Sequence, residues 1–292
     1  MWWTLDRFGI QFTPMTISAL RRARLDEYNT IIMPDGSPAA YSAALGKAGI
    51  DTLRGWCERG GTLVTVKGAS VFAALKDVNL TSARLVGSAD DEESKDAKPA
   101  ASPEQSGGAQ ATPTPTPSQD ATAGGSGTSQ AAQAARRTTR AEAEEGQTGS
   151  EKQEGAAPVL PVIASPSARP GRVPEPVPGA IFRATVDRTT PLTYGYEQPT
   201  LPVLVDSAYF FRPSKEGTNA VVFANEGNTP LRISGFVWEG NTERLLRGTS
   251  YVFEEPLGRG RVVLYAEDPN YRGIFRATTR LFFNSFLFQF AG

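Results

Sequence analysis

The first 86 residues contain apolar runs separated by segments with helical spacing. Tyr28–Met33 is a mostly apolar run that stops at Pro34-Asp35-Gly36, and Thr62–Val66 is a second run of the same kind. Runs of this composition are typical of parallel strands covered on both faces. A helix between the two runs is predicted from apolar residues at helical spacing: Ile50, Leu53, Trp56 and Cys57. The order strand, helix, strand predicts a doubly wound, mostly parallel α/β sheet.

Shorter elements surround these runs. The pattern predicts a short helix at residues 2–8 and a brief strand at Ile10–Phe12. It also predicts that Thr16 caps a second helix. After Thr62–Val66, the small turn Lys67-Gly68-Ala69 leads into a helix for which we expect Ser70 to be the cap. Strand, sharp turn and helix together form the elbow on which many α/β enzymes place a nucleophile.

The second half of the chain, from Gly179, has apolar runs separated by Pro and Gly, which predicts strands. These strands cover residues 180–186, 201–205, 219–223, 231–236, 251–255 and 261–265. Asn241–Arg247 predicts one or two helical turns. The chain closes with an amphipathic helix whose Phe-rich face, at Phe282 and Phe286, predicts core packing. A docking or dimer face is the alternative for these phenylalanines.

The middle of the chain differs from both halves in composition. Residues 87–157 contain no Val, Ile, Leu, Met, Phe, Trp or Tyr. Such a segment cannot bury enough apolar area to offset the entropy lost on ordering. We therefore predict a low-complexity, disordered insertion at 87–176, with residues 1–86 and 177–292 as the first and second parts of one α/β domain.

Composition excludes several kinds of chemistry. The chain has no histidine and a single cysteine, so it cannot form a Ser-His-Asp relay or a His-containing zinc site. The formal net charge of −1 gives no electrostatic footprint for nucleic acid. The apolar stretch at 281–290 is too short to span a bilayer, which takes about 20 residues. The sequence predicts no cofactor and no metal for this chain.

Several phrases in fixed order match a known family. They are YNTIIMPDGS, LRGWCERGGTLVTVKGAS, GAIFRATVDRTTPLTYGY and GRVVLYAEDPNYRG. The chain resembles the class I glutamine amidotransferase-like domain at the C-terminus of many bacterial zinc carboxypeptidase-like proteins. The resemblance covers nearly all of residues 2–86 and 177–292, and it implies a flavodoxin-like fold.

The resemblance also implies that the amidotransferase triad is degenerate here. Lys67 stands where active members have the nucleophilic Cys. Asp268 and Asn270 stand where they have His and Glu, and Asp35-Gly36 stands at the oxyanion loop. We therefore expect no catalytic residue among these positions.

The substituted residues leave three hypotheses for the old site. Lys67, Asp35 and Asp268 follow strands, so we expect them to converge at the carboxyl ends of the parallel sheet. Lys67 is then a salt-bridged residue at a retired site, a base or Schiff-base amine with a lowered pKa, or a neighbour of carboxylates that hold a cation such as Ca²⁺.

Three functions follow from these hypotheses. The first is a non-catalytic accessory domain, or a fragment, of a zinc carboxypeptidase-like protein. The second is an oligomerisation or ligand-binding module, and the third is an enzyme that uses Lys67 with Asp35 and Asp268. The resemblance implies that the partner is the catalytic domain of the same parent protein, that zinc is bound only there, and that the protein is periplasmic or extracellular. A homo-oligomer is the other partner considered.

The start of the chain raises one more expectation. A doubly wound domain of this type opens with a strand in the middle of the sheet, whereas this chain opens with Trp2-Trp3-Thr4-Leu5, which predicts a helix. We therefore expect the first strand to be missing, with a gap in the sheet and unpaired backbone groups beside it.

Overall fold

The computed structural model describes residues 1–88, 171–225 and 229–288. Most of the predicted insertion lies outside these ranges. The helices are α1 Trp2–Arg7, α2 Ile17–Leu20, α3 Pro38–Glu58, α4 Gly68–Ala74, α5 Thr242–Leu246 and α6 Thr279–Leu287. The strands are β1 Thr30–Met33, β2 Thr62–Val66, β3 Ala180–Val186, β4 Thr200–Val205, β5 Thr218–Phe223, β6 Arg232–Gly235, β7 Ser250–Leu257 and β8 Gly260–Tyr265.

The described strands form one mixed sheet in the order β1-β2-β8-β7-β5-β3-β4, with β6 paired to β3. The predicted α/β class is confirmed, but the prediction of a mostly parallel sheet is wrong. Among the described strands, β1–β2 and β2–β8 pair in parallel and the other pairs are antiparallel. Strands β7 and β8 are joined by a tight turn at Gly258, which permits antiparallel pairing, whereas a parallel pair needs a long crossover.

The sheet has no gap at its centre, so the prediction of an interrupted sheet is wrong. Strand β2 pairs with β1 on one side and with β8 on the other, and Val64 lies opposite both Ile32 and Val263. Every residue of β2 is buried, so both faces of this strand are covered. The path from β1 to β4 is continuous, and β1 is its edge strand.

Local signals explain where α2 and α3 begin. The Thr16 side chain accepts a hydrogen bond from the Ala19 N–H and begins α2. Ser37 does the same for α3, which has Pro38 in its first turn. Ile10–Phe12 is not a strand, because three residues without a partner strand make no ladder. Ser70 lies inside α4 and does not cap it.

The sheet curls strongly. Strands β2 and β4 are five positions apart in the strand order, which would place them about 24 Å apart in a flat sheet at about 4.8 Å per strand. Yet Asp206, the residue after β4, contacts Lys67, the residue after β2. Because β4 also runs in the same direction as β2, the curled sheet brings the carboxyl ends of these two strands together.

The two described ends of the insertion contact each other. A Cβ added to Gly87 would lie 2.6 Å from the carbonyl oxygen of Arg172, so the chain leaves and re-enters the domain at one place. The side-chain amide of Asn241 donates to the Val173 carbonyl and accepts from the Glu175 N–H, both at 2.9 Å. Residues 171–176 are therefore attached to the domain by hydrogen bonds.

Candidate functional site

The elbow after β2 has the strained backbone that its sequence suggests. Lys67 adopts φ 51° and ψ −113°, a conformation that side chains other than glycine rarely adopt. Its N–H donates to the Tyr265 carbonyl at the end of β8, at 2.9 Å. A Cβ on Gly68 would lie 1.9 Å from the Gly36 carbonyl oxygen, so only glycine fits there. The turn is therefore clamped between β8 and the loop that follows β1.

Three carboxyl groups surround the Lys67 ammonium. The distances from Lys67 Nζ are 2.8 Å to Asp206 Oδ1, 3.7 Å to Asp35 Oδ2 and 3.8 Å to Glu267 Oε2. The Lys67 side chain is 12 % exposed and that of Glu267 is 2 % exposed, whereas that of Asp35 is half exposed. We call these four residues the elbow cluster.

Asp35 occupies a position with chemical meaning. Its Oδ1 accepts a hydrogen bond of 3.0 Å from the Gly68 N–H. In elbow enzymes, the N–H of the residue after the nucleophile is one donor of the oxyanion hole. Here an internal carboxylate takes that donor, so the N–H is already used and a negative charge stands where a substrate oxyanion would develop.

The charge state of Lys67 follows from its neighbours. Burial lowers the pKa of Lys67, but the hydrogen bond to Asp206 and the surrounding carboxylates outweigh burial and raise that pKa above its usual value. Burial raises the pKa of Asp206, but the neighbouring Glu267 and Lys67 groups outweigh burial and lower that pKa. Lys67 is thus an ammonium paired with an ionised Asp206 at neutral pH.

Glu267 has the opposite environment. Burial raises its pKa well above the usual value, and the neighbouring Asp206 raises it further. Its Oε1 accepts a hydrogen bond of 2.6 Å from Ser207 Oγ, but its Oε2 has no hydrogen-bond partner among the described residues. The buried Glu255, by contrast, accepts four hydrogen bonds from Thr81, Ser82 and Ser214. Burial thus favours the protonated form of the Glu267 carboxyl group beside the Lys67–Asp206 pair.

Among the described residues, Asp268 and Asn270 form neither an ion pair nor a hydrogen bond with the Lys67 side chain. Asp268 Oδ1 accepts from the Asn270 N–H at 2.9 Å, and Asp268 forms none of the ion pairs of Lys67 in the described ranges. Asn270 is 1 % exposed, and neither atom of its side-chain amide has a hydrogen-bond partner among the described residues. The expected convergence thus holds for Lys67 and Asp35, while Glu267 takes the place expected for Asp268.

Ser70 and Cys57 provide no reactive group at the elbow. Ser70 Oγ donates to the Tyr265 carbonyl at 2.9 Å and lies 3.0 Å from Thr65 Oγ1, so its hydroxyl tethers α4 to the sheet rather than capping it. Cys57 is fully buried in α3, where burial raises the pKa of its thiol to about 12. A protonated, inaccessible thiol is a poor nucleophile.

Sequence reasoning missed Asp206, Ser207 and Glu267. Glu267 immediately precedes Asp268, the position that the resemblance assigned to the triad. The register at the end of β8 therefore decides that Glu267, and not Asp268, pairs with Lys67. Asp206 follows an apolar strand, as do Asp35 and Lys67, and that is a usable signal for this edge of the sheet. The curl that brings β4 back to β2 had no signal in the sequence.

Two further properties concern metals and membranes. Within the ranges that the structure describes, no group of three or more Cys, Asp or Glu side chains is arranged to hold a metal ion. None of the described helices combines the length and the apolar character that crossing a bilayer requires.

Comparison with known proteins finds two solved structures at low sequence identity. No family model matches the chain, and no curated protein matches it. One similar solved structure is a cytoplasmic protein from Salmonella typhimurium, with 8 % sequence identity and a TM-score of 0.43, and the match covers 96 % of this chain and 82 % of that chain. Another is a ThuA-like protein from Bacteroides uniformis, with 14 % identity and a TM-score of 0.45, and the match covers 97 % of this chain and 79 % of that chain. At these scores the similarities assign neither a family nor an activity to the chain.

Proposed function

We propose that this chain is a non-catalytic accessory domain in which the elbow of an α/β enzyme has become a structural ion cluster. The observation that carries the proposal is the pairing of Lys67 Nζ with Asp206 at 2.8 Å, at the position of the nucleophile. An ammonium has no lone pair and cannot attack a carbonyl or accept a proton. The oxyanion donor at Gly68 is likewise taken by Asp35.

The cluster also has a structural task that supports this proposal. Lys67 belongs to the first part of the domain, and Asp206 and Glu267 belong to the second. The ion pair therefore joins two parts of the chain that are far apart in sequence. Ser207, which hydrogen-bonds Glu267, extends the same connection towards β4. A residue that holds the fold together in its charged form gives a physical reason for a lysine at this position.

An activity assay tests the proposal. We expect ammonia release from glutamine and hydrolysis of p-nitrophenyl acetate at the rate of a protein-free control. The contrary result is a rate above the control that Lys67→Ala abolishes. Lys47→Ala is the matched control, because Lys47 is an exposed lysine on α3 whose side chain is 91 % accessible. A rate that survives Lys47→Ala and not Lys67→Ala would make Lys67 a catalytic residue and refute the proposal.

The amine of Lys67 can be tested directly. Incubation with an aldehyde and borohydride reduces any Schiff base to a stable adduct, which peptide mass mapping locates. We expect a modified Lys47 and an unmodified Lys67, since a buried, ion-paired ammonium does not condense with a carbonyl. Preferential modification of Lys67 would favour the third function, an enzyme that uses this lysine with Asp35 and Asp268.

The finer part of the proposal concerns the parent protein. On the sequence resemblance alone, we propose that the domain belongs to a zinc carboxypeptidase-like protein, with zinc bound outside these residues and an exported location. Immunoprecipitation from the source organism, followed by peptide and metal analysis, tests this. We expect a zinc-containing polypeptide larger than 31.2 kDa; a zinc-free polypeptide of that mass would contradict it.

The second candidate function is an oligomerisation or ligand-binding module. The observation that favours it is a set of exposed aromatic side chains on α1 and at the end of α6: Trp2 at 64 %, Trp3 at 52 %, Phe8 at 57 % and Phe288 at 36 % exposure. Exposed apolar patches often mark interaction sites. Light scattering across a concentration range tests oligomerisation, because a module that acts by self-association must show a mass above that of one chain.

A further inference from the structure

A cavity on the surface shares no lining residue with the elbow cluster. It has a volume of about 260 Å³ and lies between α1 and the segment that leads into α6. Its walls combine three aromatic rings with three guanidinium groups: Trp3, Phe8 and Phe283, and Arg7, Arg276 and Arg280. We call it the α1–α6 cavity.

The charge of this cavity is one-sided. No carboxylate is among its lining residues, although three arginines are. The Arg7 guanidinium lies 5.1 Å from the ring centre of Trp3, and Arg280 donates a hydrogen bond to the Gly195 carbonyl. The Arg276 guanidinium has no hydrogen bond or ion pair in the part of the chain that the structure describes. The cavity therefore presents positive charge that no lining group neutralises, which attracts an anion.

The apolar walls suit a flat ligand. The rings of Phe8 and Phe283 meet at 4.8 Å between centroids and 63° between planes. Trp3 stands opposite the backbone of Gly273, where an added Cβ would lie 2.3 Å from the indole. Since Gly273 also has φ +68°, this close contact needs glycine, and it fixes the indole as one wall.

The volume limits the size of the ligand. An apolar cavity of about 150 Å³ is enough to hold benzene. The α1–α6 cavity of about 260 Å³ therefore accommodates one aromatic ring with a short substituent, and it falls below the usual range for drug-sized ligands, which begins at about 300 Å³. A guanidinium recognises a carboxylate through two parallel hydrogen bonds, which gives the substituent its chemistry.

We propose that the α1–α6 cavity is a binding site for a small aromatic carboxylate. The ring packs against Trp3, Phe8 and Phe283, and the carboxylate pairs with Arg276, supported by the charge of Arg7. This site shares no lining residue with the elbow cluster, and the proposal does not depend on the function proposed for that cluster.

Calorimetric titration of the chain with phenylacetate tests the proposal, with phenylacetamide as the uncharged analogue of the same shape. We expect saturable binding of one phenylacetate per chain, and binding of phenylacetamide weaker by at least about tenfold, because the amide loses the charge-assisted hydrogen bonds. Arg276→Gln removes the unpaired guanidinium and is expected to weaken phenylacetate binding by a similar factor. Trp3→Ala removes one aromatic wall and is expected to weaken both ligands.

Arg22→Gln is the matched control, because it changes the net charge equally at an exposed arginine outside the cavity. It is expected to leave the dissociation constant within about twofold. Thermal melts of each variant verify that it is folded, and these arginines and Trp3 are exposed, so folding is not expected to change. The proposal is overturned by the absence of saturable binding, by equal affinity for the amide, or by an Arg22→Gln effect as large as that of Arg276→Gln.

Discussion

The backbone strain at Lys67 makes a quantitative prediction about two substitutions that differ by one methyl group. Lys67→Ala and Lys67→Gly both remove the ammonium and leave Asp206 without its partner, so that loss cancels when the two are compared. The alanine variant keeps a Cβ at φ 51°, whereas glycine adopts this conformation freely. Strain in such regions costs about 1–3 kcal/mol.

The entropy of the unfolded chain partly offsets the stabilisation that glycine provides by relieving the strain. Glycine has more conformations to lose on folding, which costs about 0.4–1 kcal/mol relative to alanine. The difference predicts that Lys67→Gly is more stable than Lys67→Ala by about 0.5–2 kcal/mol. For a domain of 150–250 residues, about 2–4 °C of melting temperature corresponds to 1 kcal/mol.

Urea unfolding of both variants, with linear extrapolation to water, measures this difference. The control is Ala43→Gly, at an exposed position in α3, where glycine is expected to destabilise by about 1 kcal/mol. The reasoning requires opposite signs for the alanine–glycine difference at positions 67 and 43. If Lys67→Ala were as stable as Lys67→Gly, or more stable, the elbow would not be strained.

Three further predictions concern Gly68, Glu267 and the insertion. Gly68→Ala is expected to destabilise the domain by more than about 3 kcal/mol in urea unfolding, because the added Cβ would overlap the Gly36 carbonyl oxygen. The control Gly55→Ala, inside α3, should stabilise the domain slightly. Equal effects of the two substitutions would contradict the clamp at the turn. Glu267 has a raised pKa, so its contribution to stability is complete below the unfolded pKa of about 4.3 and is lost as pH rises towards the folded pKa. Over that pH range the melting temperature of the native chain should fall relative to that of Glu267→Gln. A constant difference between the two melting temperatures would refute this. Replacing residues 89–170 by a short Gly-Ser linker should change the melting temperature by less than about 4 °C, because the two ends already touch; a drop of 10 °C or more would show that the segment packs on the domain.

The sequence predicts the elements at the centre of the fold better than those at its margins. Strand β2 was predicted with its observed limits, because Thr62–Val66 is a continuous apolar run between two glycines and the Lys67-Gly68 turn. Ile10–Phe12 has a similar composition but no partner strand, and it is not a strand. Ser70 has the residue type of a cap, yet Gly68 begins the helix, and the buried Ser70 hydroxyl finds a carbonyl on β8 instead.

The site shows the same limit. Lys67 and Asp35 could be placed together from sequence because each follows a strand of a parallel pair. Asp206 could not, because its position depends on how far a sheet of antiparallel hairpins curls, and that is set by strand twist and packing over many residues. The charge of Lys67 depends in turn on Asp206, so a lowered or a raised pKa could not be decided before the partner was known.

The pairing of β2 with β8 has a consequence for how the polypeptide is held together. Val64 and Val263 are neighbours on adjacent strands. In the sequence, however, Val64 precedes the long insertion and Val263 follows it. The insertion thus acts as a covalent tether that makes this pairing intramolecular, at an effective concentration of the order of millimolar or below for so long a linker. A chain cut once within residues 89–170 would become a two-piece protein, held by the seam between β2 and β8 and by the Lys67–Asp206 pair. The folded fraction of the cut protein would then fall on dilution, whereas the intact chain folds as one molecule.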